Sequence, residues 1–504
     1  MSSTEQVPRM SMNTEFILSE ARRVLSANRQ EGVSRWNGKR FSFVCPSLSS
    51  YPFQWFWDSA FHAIALMHLN ADLAKQELQC LLQAAQPDGF IPHMVLWQEQ
   101  HQRAAEAEFK ITLAHPYFTA TTQPPVLARA IECVFETTRD FAWLAEVLGP
   151  TVCFFKWLQT IRDPDNDFLI AIVQPDESGV DVSPKFDALL GIDYRRPDTV
   201  YSAWHSGMDR LFAIYRDSRT ESRKLLQLDA FNYEDVMFNS IYADGLLRLA
   251  GLLRTAQYPE AEAAEFELWS ARTRDALIRK CWDEQRSAFW DLSGSDEQPQ
   301  KILTSSCLFP LILKGMDSNI VRRLVNEHLL NEAEFWLPFP IPSVAANEPS
   351  FDPAFVTRAI FRGPSWVNIN WYLYWGLRQY GYDDIGGELV TRTLNMIERG
   401  GMCECFDPYT AEGFGAADFG WTALIIDLIE AERNRISKPQ KSTHWCIETL
   451  PGGRRGDRFR RVRKADTPLL ARCTAPRSSA SWAGRLEGHS RGTNEKGLNC
   501  ASAR

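Results

Sequence analysis

The chain has 504 residues, of which 45% are hydrophobic and 23% charged, the composition of an ordinary globular protein long enough to bury a large core without disulfides. Its formal charge of −8 is unevenly divided: residues 437–504 hold 15 Lys and Arg against 5 Asp and Glu, which leaves 40 against 58 in residues 1–436. An acidic body excludes a nucleic-acid-binding core, because phosphate contacts need a basic face.

The first residues, MSSTEQVPRMSMNTE, lack the apolar run of a secretory signal, and residues 1–14 are expected to be a flexible N-terminus. Residues 51–62 bring the first chemistry. Tyr51, Phe53, Trp55, Phe56, Trp57 and Phe61 surround Asp58, a carboxylate that is costly among aromatics unless it finds hydrogen-bond donors. Sugar hydroxyls would serve, with Trp faces against the C–H side of a pyranose; the plain alternative is an Asp at a helix N-terminus. Phe141, Leu144, Leu148, Val152, Phe155, Leu158 and Ile161 recur at helical spacing, with Pro150 expected to start a new helix inside the run. Asp163, Asp165 and Asp167 resemble the start of a calcium loop, but Phe168 and Gln174 stand where that loop needs Gly and Glu, so an Asx turn is the better reading. Asp176, Glu177 and Asp181 crowd one turn-rich loop, and their repulsion raises at least one pKa, as a general acid requires.

Further on, Phe238, Tyr242, Leu246, Leu249 and Leu253 repeat the helical period, as do Trp366, Ile369, Leu373, Leu377 and Tyr380. Between them runs a proline-rich connection with Pro338, Pro340, Pro342, Pro349, Pro353 and Pro364, ending in Arg362-Gly-Pro-Ser-Trp366. Glu404, between Cys403 and Cys405 and ahead of a turn, is placed like a base with a tuned pKa. Strand-like alternation is sparse, so an all-α body of roughly a dozen helices is expected over residues 15–436. No run of about 18 apolar residues predicts a membrane helix. The 11 cysteines show no framework spacing and read as the reduced thiols of a cytoplasmic protein. Residues 437–504, basic and poor in large aliphatics, are expected to be a disordered low-complexity tail.

Seven motifs in this order carry a resemblance: YPFQWFWDSAFHA (51–63), QPDGFIPHM (86–94), TQPPVLARA (122–130), DESGVDVSP (176–184), EDVMFNSI (234–241), RGPSWVNINWYLYWGL (362–377) and ECFDPYTAEGFG (404–415). Together they resemble glycoside hydrolase family 63, within its mannosylglycerate and glucosylglycerate hydrolase branch of six-hairpin glycosidases. The resemblance implies an (α/α)6 toroid and inversion at the anomeric carbon, with two carboxyl groups ~6.5–9.5 Å apart. By motif, Asp181 matches the general acid and Glu404 the general base. Tyr51, Trp55, Asp58, Gln123, Gly179 and Trp366 match substrate-binding positions, and Arg362 is added to them. Two departures bear on the leaving group: Ile360-Phe361 stands before Arg-Gly-Pro where relatives often have an aromatic pair, and Gln174-Pro175-Asp176 stands where they often have His-Pro-Trp.

The expected partner is a small carbohydrate, glucosylglycerate or mannosylglycerate first and short α-gluco-oligosaccharides next. No metal, cofactor, nucleic acid or membrane is expected, and a homo-oligomer is left open. Two rivals differ in class. A sugar isomerase on a related toroid would use His93, His115 or His205 and release no aglycone. A non-catalytic sugar-binding protein would bind without turnover.

Overall fold

The computed structural model describes residues 12–98, 113–115, 117–218, 221–437, 446–448 and 460–462. Six segments form an inner ring: Phe56–Leu66, Leu127–Thr138, Val236–Thr255, Ser305–Ile312, Val367–Gln379 and Gly420–Leu424. Each packs against the next in chain order, and the last packs against the first. Five of them pair with the outer segment that follows: Ala71–Leu82, Phe141–Ile161, Glu260–Ala276, Leu324–Leu329 and Asp383–Gly400. The sixth outer place goes to Met12–Ala27, which packs on Gly420–Leu424 and Asp383–Gly400. Six helical hairpins closed into a ring make an (α/α)6 toroid.

Burial separates the two rings. All eleven residues of Phe56–Leu66 are buried, so the segment is mostly apolar or small, with Asp58 and His62 the exceptions, and Ala60, Ala63 and Ala65 let neighbours approach. The outer Ala71–Leu82 buries Ala74, Leu78 and Leu81 at helical spacing and leaves its other face wet. Its first turn is closed by the Asn70 side chain, which accepts from the backbone N–H groups of Asp72 and Leu73. Phe141–Ile161 and Val236–Thr255 are long and apolar enough to cross a membrane by composition, but they are built into the outer and inner rings, and 83% of the apolar window of the second is buried.

Two expectations need correction. Pro150 does not restart the helix: Phe141–Ile161 is continuous through it. Gly149 and Pro150 are only part-buried, whereas Leu148, Thr151 and Val152 are buried. The carbonyl that loses its donor therefore lies toward the wetter side, while packing on the other side holds the helix together. Met12–Ala27 also takes in residues 12–14, which were assigned to the N-terminal segment; residues 1–11 lie outside the described residues.

Strands are short and serve the ring. One four-stranded sheet runs Gln54–Trp55, Met94–Val95, Phe118–Thr119, Leu113–His115, and another runs Gln298–Gln300, Asp291–Ser293, Tyr233–Glu234, Ala171–Ile172. Gln54–Trp55 and Tyr233–Glu234 lead directly into inner helices and fix where these begin. Residues Glu432–Asn499 form a second unit. Beyond Ser437 its described residues are an antiparallel pair, Cys446–Glu448 with Arg460–Val462, and the rest of the expected 437–504 tail lies outside the described residues.

Candidate active site

A cavity of about 500 Å³ opens at the N-terminal end of the inner ring. Its wall is made by residues that immediately precede inner segments: Trp55, Trp57 and Asp58 at the start of the first, Gln123 before the second, Phe355 to Phe361 before the fifth, and Glu404 to Trp421 at the sixth. The turn-rich loop at 176–182 and the half-buried helix Val200–Tyr215 complete it. This size and mixed lining suit a small polar ligand.

The loop bearing Asp181 is fastened from behind. Arg162 forms a two-pronged ion pair with Glu177, at 2.7 and 2.6 Å, with both side chains fully buried. Glu177 also accepts from the backbone N–H groups of Val173, at 2.8 Å, and Thr122, at 3.0 Å. Glu177 is thus a strut, and Asp176 and Asp181 are left to face the cavity. Between them Gly179 turns the chain with φ +74, and a Cβ there would come within 2.5 Å of the Trp57 ring. Gly fits because the turn is left-handed and the indole lies against it.

Glu404 is held from the other side. Its Oε2 accepts from the Ala416 backbone N–H at 2.8 Å, and the Tyr51 hydroxyl lies 3.5 Å from Oε1. The hairpin that pairs Cys405 with Phe414 brings residues 404 and 416 together, and Gly415, at φ +71, leaves the space that the carboxylate fills.

The electrostatics follow from burying several carboxyls together. Burial, then the charges of Asp176, Glu404 and Asp58, hold Asp181 well above the usual carboxylate range. Burial pushes Glu404 up to about 7, against the pull of the Ala416 N–H and the Tyr51 hydroxyl. Burial also lifts Asp58 well above its ordinary value, and Asp176 to about 7 with help from Glu177. One carboxyl raised well above its ordinary range and another poised near neutrality can act as acid and base in the same cavity.

Seven of the nine expected site residues line the cavity: Asp181, Glu404, Tyr51, Trp55, Asp58, Gln123 and Gly179. Gln123 also accepts from the Trp57 backbone N–H at 3.1 Å, which ties the second loop to the first helix. Arg362 and Trp366 do not line it. Arg362, 1% exposed, gives its guanidinium to Asp187, at 2.8 and 2.5 Å, and to the Val182 carbonyl at 3.1 Å. Trp366 is fully buried behind Phe361, ring against ring at 3.8 Å, and meets Trp421 edge-on. Both therefore stand one layer behind the wall. Conversely, the wall contains residues that sequence reasoning did not single out: Tyr201, Trp204 and Arg358. Tyr201 and Trp204 are spaced as one helix face, a signal that was available but ordinary for a core helix. His93 and His205 line the cavity, with burial pushing His93 down to about 3, while the side chain of His115 lies outside the described residues.

Away from the cavity, Asp167 accepts from the Leu169 N–H at 2.8 Å, the Asx turn expected of that acidic segment, and Asp163 accepts from the N–H groups of Asp167, at 3.0 Å, and Phe168, at 3.2 Å. Asp165, Asp167, Glu234 and Glu297 converge closely enough to hold a cation, and the Lys280 ammonium already sits beside Asp165, Asp167 and Glu297.

Residues 51–422 match the model of the mannosylglycerate hydrolase MGH1-like glycoside hydrolase domain. A mannosylglycerate hydrolase of Thermus thermophilus is 31% identical over 416 residues, 77% of this chain and 96% of that one. The glucosylglycerate hydrolase of Mycolicibacterium hassiacum is 27% identical, covering 75% of this chain and 91% of its own. Among solved structures, a glycoside hydrolase family 63 mannosylglycerate hydrolase from Thermus thermophilus, in complex with Tris and D-glycerate, superposes with a TM-score of 0.70 at 27% identity. That match spans 82% of this chain and the whole of the other.

Proposed function

Because the chain belongs to the mannosylglycerate hydrolase MGH1-like family of glycoside hydrolases, we propose that its cavity hydrolyses a small α-glucoside or α-mannoside of glycerate, with inversion. The observation that carries this reading is the pair Asp181 and Glu404 lining one cavity, each raised in pKa by burial. In the proposed reaction Asp181, whose hold on its proton is strengthened by burial, gives that proton to the glycosidic oxygen as the bond to the anomeric carbon breaks. Glu404, ionised above about 7, takes a proton from a water that attacks the opposite face. Inverting pairs stand far enough apart to admit that water.

Tyr51, Trp55, Asp58, Gln123 and Gly179 are proposed to hold the sugar: Trp55 by its face, and Asp58 and Gln123 by hydrogen bonds to hydroxyls. Trp366 is proposed to support this subsite through Phe361 and Trp421, and Arg362 to position the Asp181 loop through Val182. The toroid through residue 436 is proposed to be the catalytic domain. A cytoplasmic setting accords with Cys45, Cys80, Cys281, Cys307 and Cys405, buried thiols outside any disulfide. The rival isomerase reading lacks support, since the matched relatives are hydrolases.

The test is a screen of α-glucosyl and α-mannosyl glycerates, glycerols and disaccharides, with the first-formed anomer read by NMR. Release of the β-anomer from an α-linked glycerate substrate is the expected result. Asp181→Asn and Glu404→Gln should each lower kcat by about 10³-fold or more, within the range by which general acid–base groups act together with positioning. Full activity in either variant, or release of the α-anomer, would overturn the assignment.

A further inference from the structure

The cavity wall carries four carboxyl groups, on Asp58, Asp176, Asp181 and Glu404. A ligand that brings a further carboxylate into such a site needs a positive charge to meet it. Among the described lining residues, Arg358 is the one with a permanent positive charge. The imidazoles do not substitute for it: burial keeps His93 neutral at any physiological pH, and an imidazole lacks the forked pair of donors that fits a carboxylate.

Arg358 is exposed, and its guanidinium has no hydrogen bond or ion pair among the described residues. That contrasts with Arg362, four residues on, whose guanidinium is saturated by Asp187 and Val182. The loop that presents Arg358 is nevertheless fixed. The Asp352 carboxylate accepts from the Val356 N–H at 2.9 Å, the Thr357 N–H at 2.8 Å and the Thr357 hydroxyl at 2.6 Å. The Asp352 N–H donates to the Arg362 carbonyl at 2.8 Å, and the Arg358 N–H to the Phe355 carbonyl at 3.1 Å. Phe355 stacks on Phe414, in the hairpin that carries Glu404.

Within this frame Phe355, Arg358 and Phe361 all adopt left-handed backbone angles, with φ +56, +56 and +61. Such angles are unfavourable for side chains of this size and persist where the surroundings impose them. A solvated arginine on an ordinary loop needs none of this. The loop spends conformational freedom in advance and holds a cation, unpaired among the described residues, at a cavity whose carboxyl groups are Asp58, Asp176, Asp181 and Glu404.

We propose that Arg358 binds the carboxylate of the leaving group and so selects an anionic aglycone, a small hydroxy acid of the glycerate type, over a neutral polyol. The proposal rests on the reading of this cavity as an α-glycosidase site. It also accounts for Ile360, a lining residue two positions on: a polar contact absent at 360 is replaced by a charged one at 358.

The experiment compares kcat/KM for two substrates with the same sugar, the α-glycoside of glycerate and that of glycerol, which differ only in a carboxylate against a hydroxymethyl group. The wild-type protein should favour the glycerate compound, and Arg358→Met should lower the ratio of the two values by about 30-fold or more, as for the loss of a charge-assisted hydrogen bond. Arg358→Lys, which keeps the charge but not the fork, should retain a ratio between the two. A ratio within threefold of wild type in Arg358→Met would overturn the proposal while leaving the hydrolase reading intact. So would a wild-type enzyme that cleaves both substrates equally. If the wild-type protein cleaved neither, the hydrolase reading would fall and this proposal with it.

Discussion

Tyr51 and Glu404 show how one contact sets a protonation state. Burial drives Glu404 up to about 7, and the Tyr51 hydroxyl, 3.5 Å from Oε1, pulls it back down. Tyr51 itself is held well above its ordinary value, first by the Glu404 charge, so it stays a donor throughout the working range. Tyr51→Phe removes a group that favours the carboxylate, and the Glu404 pKa should rise. A base must be ionised to act, so the acidic limb of the kcat/KM profile should move to higher pH by about half a unit to one unit. A profile unchanged from wild type would mean that the hydroxyl has no hold on Glu404. Asp58 was legible in the sequence because a carboxyl set among Trp and Phe is costly unless it has a partner, Asp181 because three acids crowd one loop, and Glu404 because its neighbours are apolar; the roles of the last two, and that of Tyr51, came from the resemblance. Arg362 and Trp366 were misplaced for a different reason. A motif fixes a residue's neighbours along the chain, but whether its side chain points into the cavity or behind it depends on a partner, Asp187 for one and Phe361 for the other, that lies elsewhere in the sequence or stacks out of view. Arg358 was missed because an arginine on a polar loop is the commonest of surface features.

Arg362 joins two elements, the loop after Asp181 and the loop that carries Arg358. Its pair with Asp187 is nearly dry: the arginine is 1% exposed and the aspartate side chain 10%. Burial raises Asp187 above the usual carboxylate range even with the guanidinium beside it, so the partners are held at a cost that only their pairing offsets. Arg362→Met would leave that carboxylate buried alone and should destabilise the protein by about 3 kcal/mol, the scale for breaking a buried pair. Adding Asp187→Asn should recover part of the loss, and thermal melts of the two single variants and the double variant read both numbers. Additive losses would show that the pair does not hold the loops together. The helices themselves were legible wherever one face is buried at a period of 3.6, as in Phe141–Ile161. Two inner segments were not, because Ser305–Ile312, which contains Pro310, and Gly420–Leu424 wind as tight 3₁₀ turns too short to show a period. The closure of six hairpins into a ring came from the resemblance, since periodicity reports faces and not which helices meet.

Across the whole toroid, buried acids inside and outside the cavity make folding depend on pH. Asp176 and Glu404 are raised to about 7, Glu77 to about 8 and Glu234 to about 9, while Asp58 and Asp181 stand well above their usual values. A carboxyl whose folded-state pKa is raised binds its proton more tightly folded than unfolded. Between its ordinary value and its raised one, the folded state therefore holds the extra proton, and stability falls as the pH rises through that window. His62 and His93 are pushed the opposite way, to about 3, and would favour higher pH, but only below 6.5 where the unfolded imidazoles gain protons. From pH 6.5 to 8.5 the carboxyls act in the same direction as His328, which, against its burial, the Glu334 carboxylate and the Arg286 carbonyl hold above its ordinary value. The protein should therefore melt at a lower temperature at pH 8.5 than at pH 6.5, by about 5 °C for a loss of a few kcal/mol. Glu77 offers a control outside the cavity, because its carboxyl is buried against Ser59 and the Val44 N–H and lines no part of the sugar site. Glu77→Gln deletes one titrating group and should flatten the dependence without altering the pH profile of hydrolysis. Melting temperatures that stay level across this range in the wild-type protein would show that the buried acids lose their protons without cost, and that the acidic body is held by groups other than these.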